Sequence, residues 1–103
     1  MSNDVYTILQ TRHREYDITV VQKNDTCHVS VTGTGEPYTR LSIAIDQAPP
    51  PGCFWLKGWS ENEHLVDELV RSGSIELVGP KMRISQYVST QAARLVPKQE
   101  QGG

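Results

Sequence analysis

Two cysteines, two tryptophans and a single phenylalanine are all that this chain of 103 residues carries of those types. Neither Cys27 nor Cys53 sits in a Cys-x-x-Cys pair, so the fold is not expected to rest on a disulfide framework. Both thiols are expected to act as small buried hydrophobes. Apolar runs extend only a few residues, which argues against a membrane-spanning helix or the core of a signal peptide. Met1-Ser2-Asn3-Asp4 also lacks the basic stretch of a secretory signal, and a cytoplasmic location is expected. There is no repeat, no low-complexity segment and no strong excess of one charge. The formal net charge of −2 argues against a dedicated nucleic-acid binder.

What is present supports one modest core. The length suits a single domain that needs no metal or disulfide support, expected over residues 1–96, with a polar tail over 97–103. Hydrophobic content of 37% beside 21% charged residues fits a globular chain and not a disordered one.

Alternation organises the first half. Val5–Gln10 reads as a strand. Tyr16, Ile18 and Val20 then alternate with Asp17, Thr19 and Val21 within a second strand, Glu15–Gln22. Lys23-Asn24-Asp25-Thr26 predicts a hairpin turn, and Cys27, Val29 and Val31 define a third strand. After the turn Gly33–Pro37, a fourth strand is expected over Tyr38–Ile45, with Leu41, Ile43 and Ile45 on one face. These four strands predict an antiparallel meander. Three consecutive prolines, Pro49–Pro51, mark a loop, since they cannot donate to a sheet. Cys53–Lys57 is expected as a further short strand.

A helix is predicted from Ser60. Ser60 and Glu63 have capping-box spacing, and Leu65, Val66, Leu69 and Val70 form its apolar stripe. Glu61 and Glu63 suit the positive end of the helix dipole and Arg71 the negative end, while Gly73 ends the helix. Ile75–Val78, a Gly79-Pro80 turn, Met82–Ile84 and Ala92–Val96 complete the reading. The expected class is α+β, a mostly antiparallel sheet carrying one helix on one face.

The stretch Pro49–Glu63 concentrates both tryptophans, the phenylalanine and half of the prolines. In a strand over Cys53–Lys57, Phe54 and Leu56 face one way and Cys53 and Trp55 the other. One set, with Trp59 preceding the helix, is expected to close the core. The other, with the proline loop, is expected to form an exposed apolar patch that anchors a partner or a homodimer.

No catalytic motif stands out. Cys27, His28, Cys53 and His64 are suitable zinc-binding atom types, but their spacing fits no compact motif, and adjacent Cys27 and His28 point to opposite strand faces. No metal or other cofactor is expected. His64 and His28 have no nucleophile beside them, and Gly33-Thr34-Gly35 lacks the length and the Lys-Ser/Thr end of a phosphate-binding loop. Charge is unevenly placed instead. Glu61, Glu63, Asp67 and Glu68 gather at the helix, and Arg12, Arg14, Lys81, Arg83 and Arg94 supply an alternative basic surface, with Lys81, Arg83 and Arg94 expected on one sheet edge. That surface would suit a small nucleic-acid- or ligand-binding module.

The segment Gly35-Glu36-Pro37-Tyr38, the strand after it, and Lys57-Gly58-Trp59-Ser60-Glu61-Asn62-Glu63 with its helix to Gly73 resemble a family of small, uncharacterised proteins of bacteria, phages and plasmids. The resemblance spans about Tyr16 to Val96 and weakens over the last third of the chain. Proteins of that class often act by occupying a host surface, as anti-CRISPR inhibitors do, and the resemblance implies a non-enzymatic inhibitor of a bacterial defence complex. On this reading Trp55 or Trp59 anchors a bacterial protein or nucleoprotein, and Glu61, Glu63, Asp67 and Glu68 face its basic channel.

Overall fold

A computed structural model describes residues 6–96, apart from the side chain of Ser60. The expected polar tail lies outside the described residues. Among the described residues the fold is α+β, with eight strands in two antiparallel sheets of four and one α-helix.

The first sheet is the meander β1 (Tyr6–His13), β2 (Tyr16–Lys23), β3 (Thr26–Val31) and β4 (Pro37–Arg40), in that order. The two-residue connections Arg14-Glu15 and Asn24-Asp25 join its first three strands, with Arg14 and Asn24 at positive φ (58° and 54°). The second sheet runs β5 (Ser42–Ile43), β6 (Phe54–Leu56), β8 (Ser89–Leu95), β7 (Ile75–Arg83).

The expected fourth strand over Tyr38–Ile45 is broken at Leu41, where the chain leaves one sheet for the other. The Leu41 N–H donates to the Cys27 carbonyl of the first sheet, and its carbonyl accepts the Lys57 N–H (2.7 Å) beside the second. Leu41 therefore points into the main core, whereas Ile43 and Ile45 pack in a separate cluster and do not share its face. Gly79-Pro80 also differs from expectation. It is no turn but part of a bulge within β7, where Gly79, Pro80 and Lys81 stand opposite the single residue Gln91. A proline and a bulge both blunt an edge strand against further pairing.

The main core joins the inward residues of both sheets, among them Ile18, Val20, Val29, Phe54 and Leu95, with Leu65, Val66 and Leu69 of the helix α1 (Glu63–Arg71). The helix starts later than the sequence suggests. Ser60–Asn62 is a single 3-10 turn, Asn62 takes the N-cap position, and its side chain makes no capping bond. The expected capping-box partner, the Ser60 hydroxyl, lies outside what is described. At the other end, Gly73 (φ 78°) donates to Val70 and Ser74 to Leu69, the two bonds of a Schellman cap.

Candidate functional site

Both faces of β6 are buried, by different partners. Phe54 and Leu56 enter the main core. Cys53 and Trp55 pack on the opposite side with Ala92, Ile43, Ile45, Val78 and Met82. Trp55 is only 6% exposed, and its Nε1–H donates to the Gln47 carbonyl at 2.7 Å. The freely exposed anchor expected at Trp55 is thus absent: Ile43 and Ile45 pack on the indole and the Gln47 carbonyl takes its N–H, leaving only a small part of the ring open to the groove described below. Trp59 is half-buried, stands outside both clusters and lies three residues before the N-cap, too early to staple the helix start.

All four acidic candidates are exposed. Glu61 lies in the 3-10 turn and pairs with Lys57 at 2.8 Å; Asp67 pairs with Arg71 at 2.9 Å. Glu63 occupies the first turn of α1, a favourable end for a carboxylate. Glu68 has a structural task as well. It accepts a 2.7 Å hydrogen bond from Nδ1 of His13, a buried residue of β1 whose ring meets Tyr38 edge-on.

The basic candidates divide between the sheets. Arg12 and Arg14 lie at the β1–β2 hairpin. Lys81 and Arg83 lie on the edge strand β7, whereas Arg94 lies on the inner strand β8 and pairs with Glu76 at 3.1 Å. The edge expected to carry Lys81, Arg83 and Arg94 together therefore holds only the first two.

Residues that sequence reasoning passed over hold these surfaces in place. Asn62 is fully buried, accepts from Thr39 Oγ1 at 2.6 Å, and donates to the carbonyls of Arg40 (2.8 Å) and Lys57 (3.0 Å). It thus ties β4 to the turn that launches α1. Ser42 Oγ accepts the Cys27 N–H beneath the sheet switch. The available signal for Asn62 was helical spacing, since it stands three and seven residues before Leu65 and Leu69.

His28 and His64 are exposed. Among the described residues, no group of three or more His, Cys, Asp or Glu side chains gathers to hold a metal. Both cysteines are free and buried. Burial pushes the Cys27 thiol far above its ordinary range. Cys53 is also raised, chiefly by burial, with Arg94 opposing the shift and Glu76 adding to it. Burial holds both sulfurs in the neutral, weakly nucleophilic form. No helix among the described residues is long and apolar enough to cross a membrane.

Beside Trp55, between the proline loop and β7, lies an open groove of about 620 Å³ whose charged lining residues are Lys81 and Arg83. Comparison with protein-family models, curated proteins and solved structures finds no match for this chain.

Proposed function

We propose that this protein is a non-enzymatic binding protein whose acidic helix engages a basic partner surface. Its specific form is inhibition of a bacterial defence complex by occupying a nucleic-acid channel. One observation carries this reading: Glu61, Glu63, Asp67 and Glu68 are exposed along a turn and helix whose other side is locked into the core by Asn62, Leu65, Val66 and Leu69. Such a rigid helix presents its carboxylates with little ordering cost on binding. With Lys57 beside Glu61 and Arg71 beside Asp67 the face still keeps a net negative charge, which speeds encounter with a surface of the opposite sign. The resemblance of Lys57–Gly73 to small proteins of phages and plasmids supports the choice of a defence complex as the target.

The test uses affinity capture from bacteria that carry defence systems, followed by competition. The wild type is expected to retain one nucleoprotein complex and to block its nucleic-acid binding. A Glu63→Lys/Asp67→Lys variant with unchanged thermal stability is expected to lose both properties. Equal capture and blocking by that variant would overturn the reading.

A further inference from the structure

The groove at the proline loop is walled, floored and charged in a way the acidic helix does not explain. Trp55, Met82 and Ala92 form its apolar floor, and Pro49 and Pro50 stand along one wall. The wall is held in place, because the Trp55 Nε1–H bond to Gln47 pins the loop to the floor and proline fixes its own backbone. Opposite it stands the β7 bulge, itself fastened by a 2.6 Å bond from Gln91 Nε2 to the Gly79 carbonyl. The bulge carries Lys81 at the rim of the groove.

Arg83 is the second cation at the rim. Its Nε and Nη2 donate to the carbonyls of Ser85 and Gln86, which orients the guanidinium without cancelling its charge. The groove lining contains no carboxylate, and among the described residues none pairs with Lys81 or Arg83. A mostly apolar concavity of this size with a few convergent polar groups has the general character of a small-molecule site.

We propose that this groove binds a small amphipathic organic anion, a flat apolar body carrying one carboxylate. The body lies against Trp55 and Met82 between the proline wall and β7, and the carboxylate meets Lys81 and Arg83. The site is separate from the acidic face of α1 and does not depend on its role.

The test is a titration of the ¹⁵N-labelled protein with naphthalene-1-acetate, beside the neutral naphthalene-1-acetamide. The acid is expected to give saturable shifts centred on the Trp55 indole N–H, Val78, Met82 and Ala92. The amide is expected to bind at the same place about tenfold more weakly, the effect of roughly one charge-assisted contact. Lys81→Gln/Arg83→Gln, and Lys81→Gln alone to spare the Arg83 bonds to Ser85 and Gln86, should reduce the acid towards the affinity of the amide while leaving amide binding intact. Equal affinity of acid and amide for the wild type would overturn the proposal. Shifts that fail to saturate, or that fall outside the groove, would overturn it as well.

Discussion

Gln22 and Leu95 stand 73 positions apart in the chain, and a 2.8 Å hydrogen bond from the Leu95 N–H to Gln22 Oε1 ties one sheet to the other. The same carboxamide donates through Nε2 to the carbonyls of Gly52 (2.8 Å) and Asn24 (3.1 Å). One buried side chain thus fastens the meander, the proline loop and the central strand of the second sheet. Replacing it with Ala leaves the buried Leu95 N–H without a partner and removes the bonds to the Gly52 and Asn24 carbonyls. Gln22→Ala is expected to lower stability by about 2–3 kcal/mol, read from the urea midpoint at unchanged slope.

Asn62 gives a pH-dependent test. An Asn62→Asp variant keeps an acceptor for Thr39 but turns a second oxygen toward the carbonyls of Arg40 and Lys57. Burial and those carbonyls disfavour the carboxylate, so its folded-state pKa lies above its unfolded one. The contribution of this carboxyl to stability is then largest below about pH 4 and is lost as pH rises from the unfolded carboxyl value through the folded one. The stability deficit of Asn62→Asp relative to wild type should accordingly grow between about pH 3 and pH 7 in denaturation curves. A deficit independent of pH would contradict the assigned orientation of the amide.

Two neighbouring carboxylates of α1 should behave differently. Asp67 pairs with Arg71 on the surface, and Asp67→Ala should cost no more than about 0.5 kcal/mol. Glu68 holds buried His13, so Glu68→Ala should cost about 1–2 kcal/mol, with Glu68→Gln recovering part of it by restoring an acceptor. Thermal or urea unfolding of the three variants side by side decides the ranking.

The thiols supply an alkaline limit. Cys27 is neutral when folded, while an exposed thiol ionises near pH 8.5 once the chain unfolds. A folded-state pKa raised above the unfolded one contributes stability that is fully present below the unfolded value and is lost as pH rises from there through the folded value. Stability should fall above about pH 8.5, by up to about 1.4 kcal/mol for each pH unit per thiol. Cys27→Ala should flatten this slope even though it lowers stability overall. Thiol-reagent labelling of the native protein at pH 8 should be slow for both cysteines and become rapid in denaturant.

Much of the fold was legible because period-two alternation is local. β1, β2 and β3 follow from their own residues, and Gly73 ends α1 where a left-handed cap residue is needed. The break at Leu41 was not legible. Leu41, Ile43 and Ile45 alternate as well in one strand as in two, and only the long-range bonds to Cys27 and Lys57 decide between the sheets. Gly79-Pro80 reads as a turn in isolation, and its place inside a bulge depends on pairing with β8.

The candidate site was partly legible in the same way. The acidic positions on the helix could be listed from sequence, but the His13 partner of Glu68 lies 55 residues away. Trp55 carried a correct face assignment relative to Phe54, yet its partners Ile45 and Gln47 come from a segment that shows no periodicity pointing to it. Gln22 left a detectable trace. It shares the parity of Ile18 and Val20, so a polar residue on an inward position of β2 signals a buried bond.

The strand order of the second sheet has a consequence for synthesis on the ribosome. β8 is the last described strand to be made, yet it lies between β6 and β7, and each needs it as a neighbour. The meander can assemble as soon as residue 40 has emerged, since its pairings are all between consecutive strands. Phe54 and Trp55, by contrast, wait for Ala92 and Ala93. Until then the nascent chain is a formed four-stranded template followed by about fifty residues whose apolar side chains lack their final partners. Truncation within β8 should therefore strand the chain at this half-built stage, with native-like hydrogen-exchange protection confined to β1–β4.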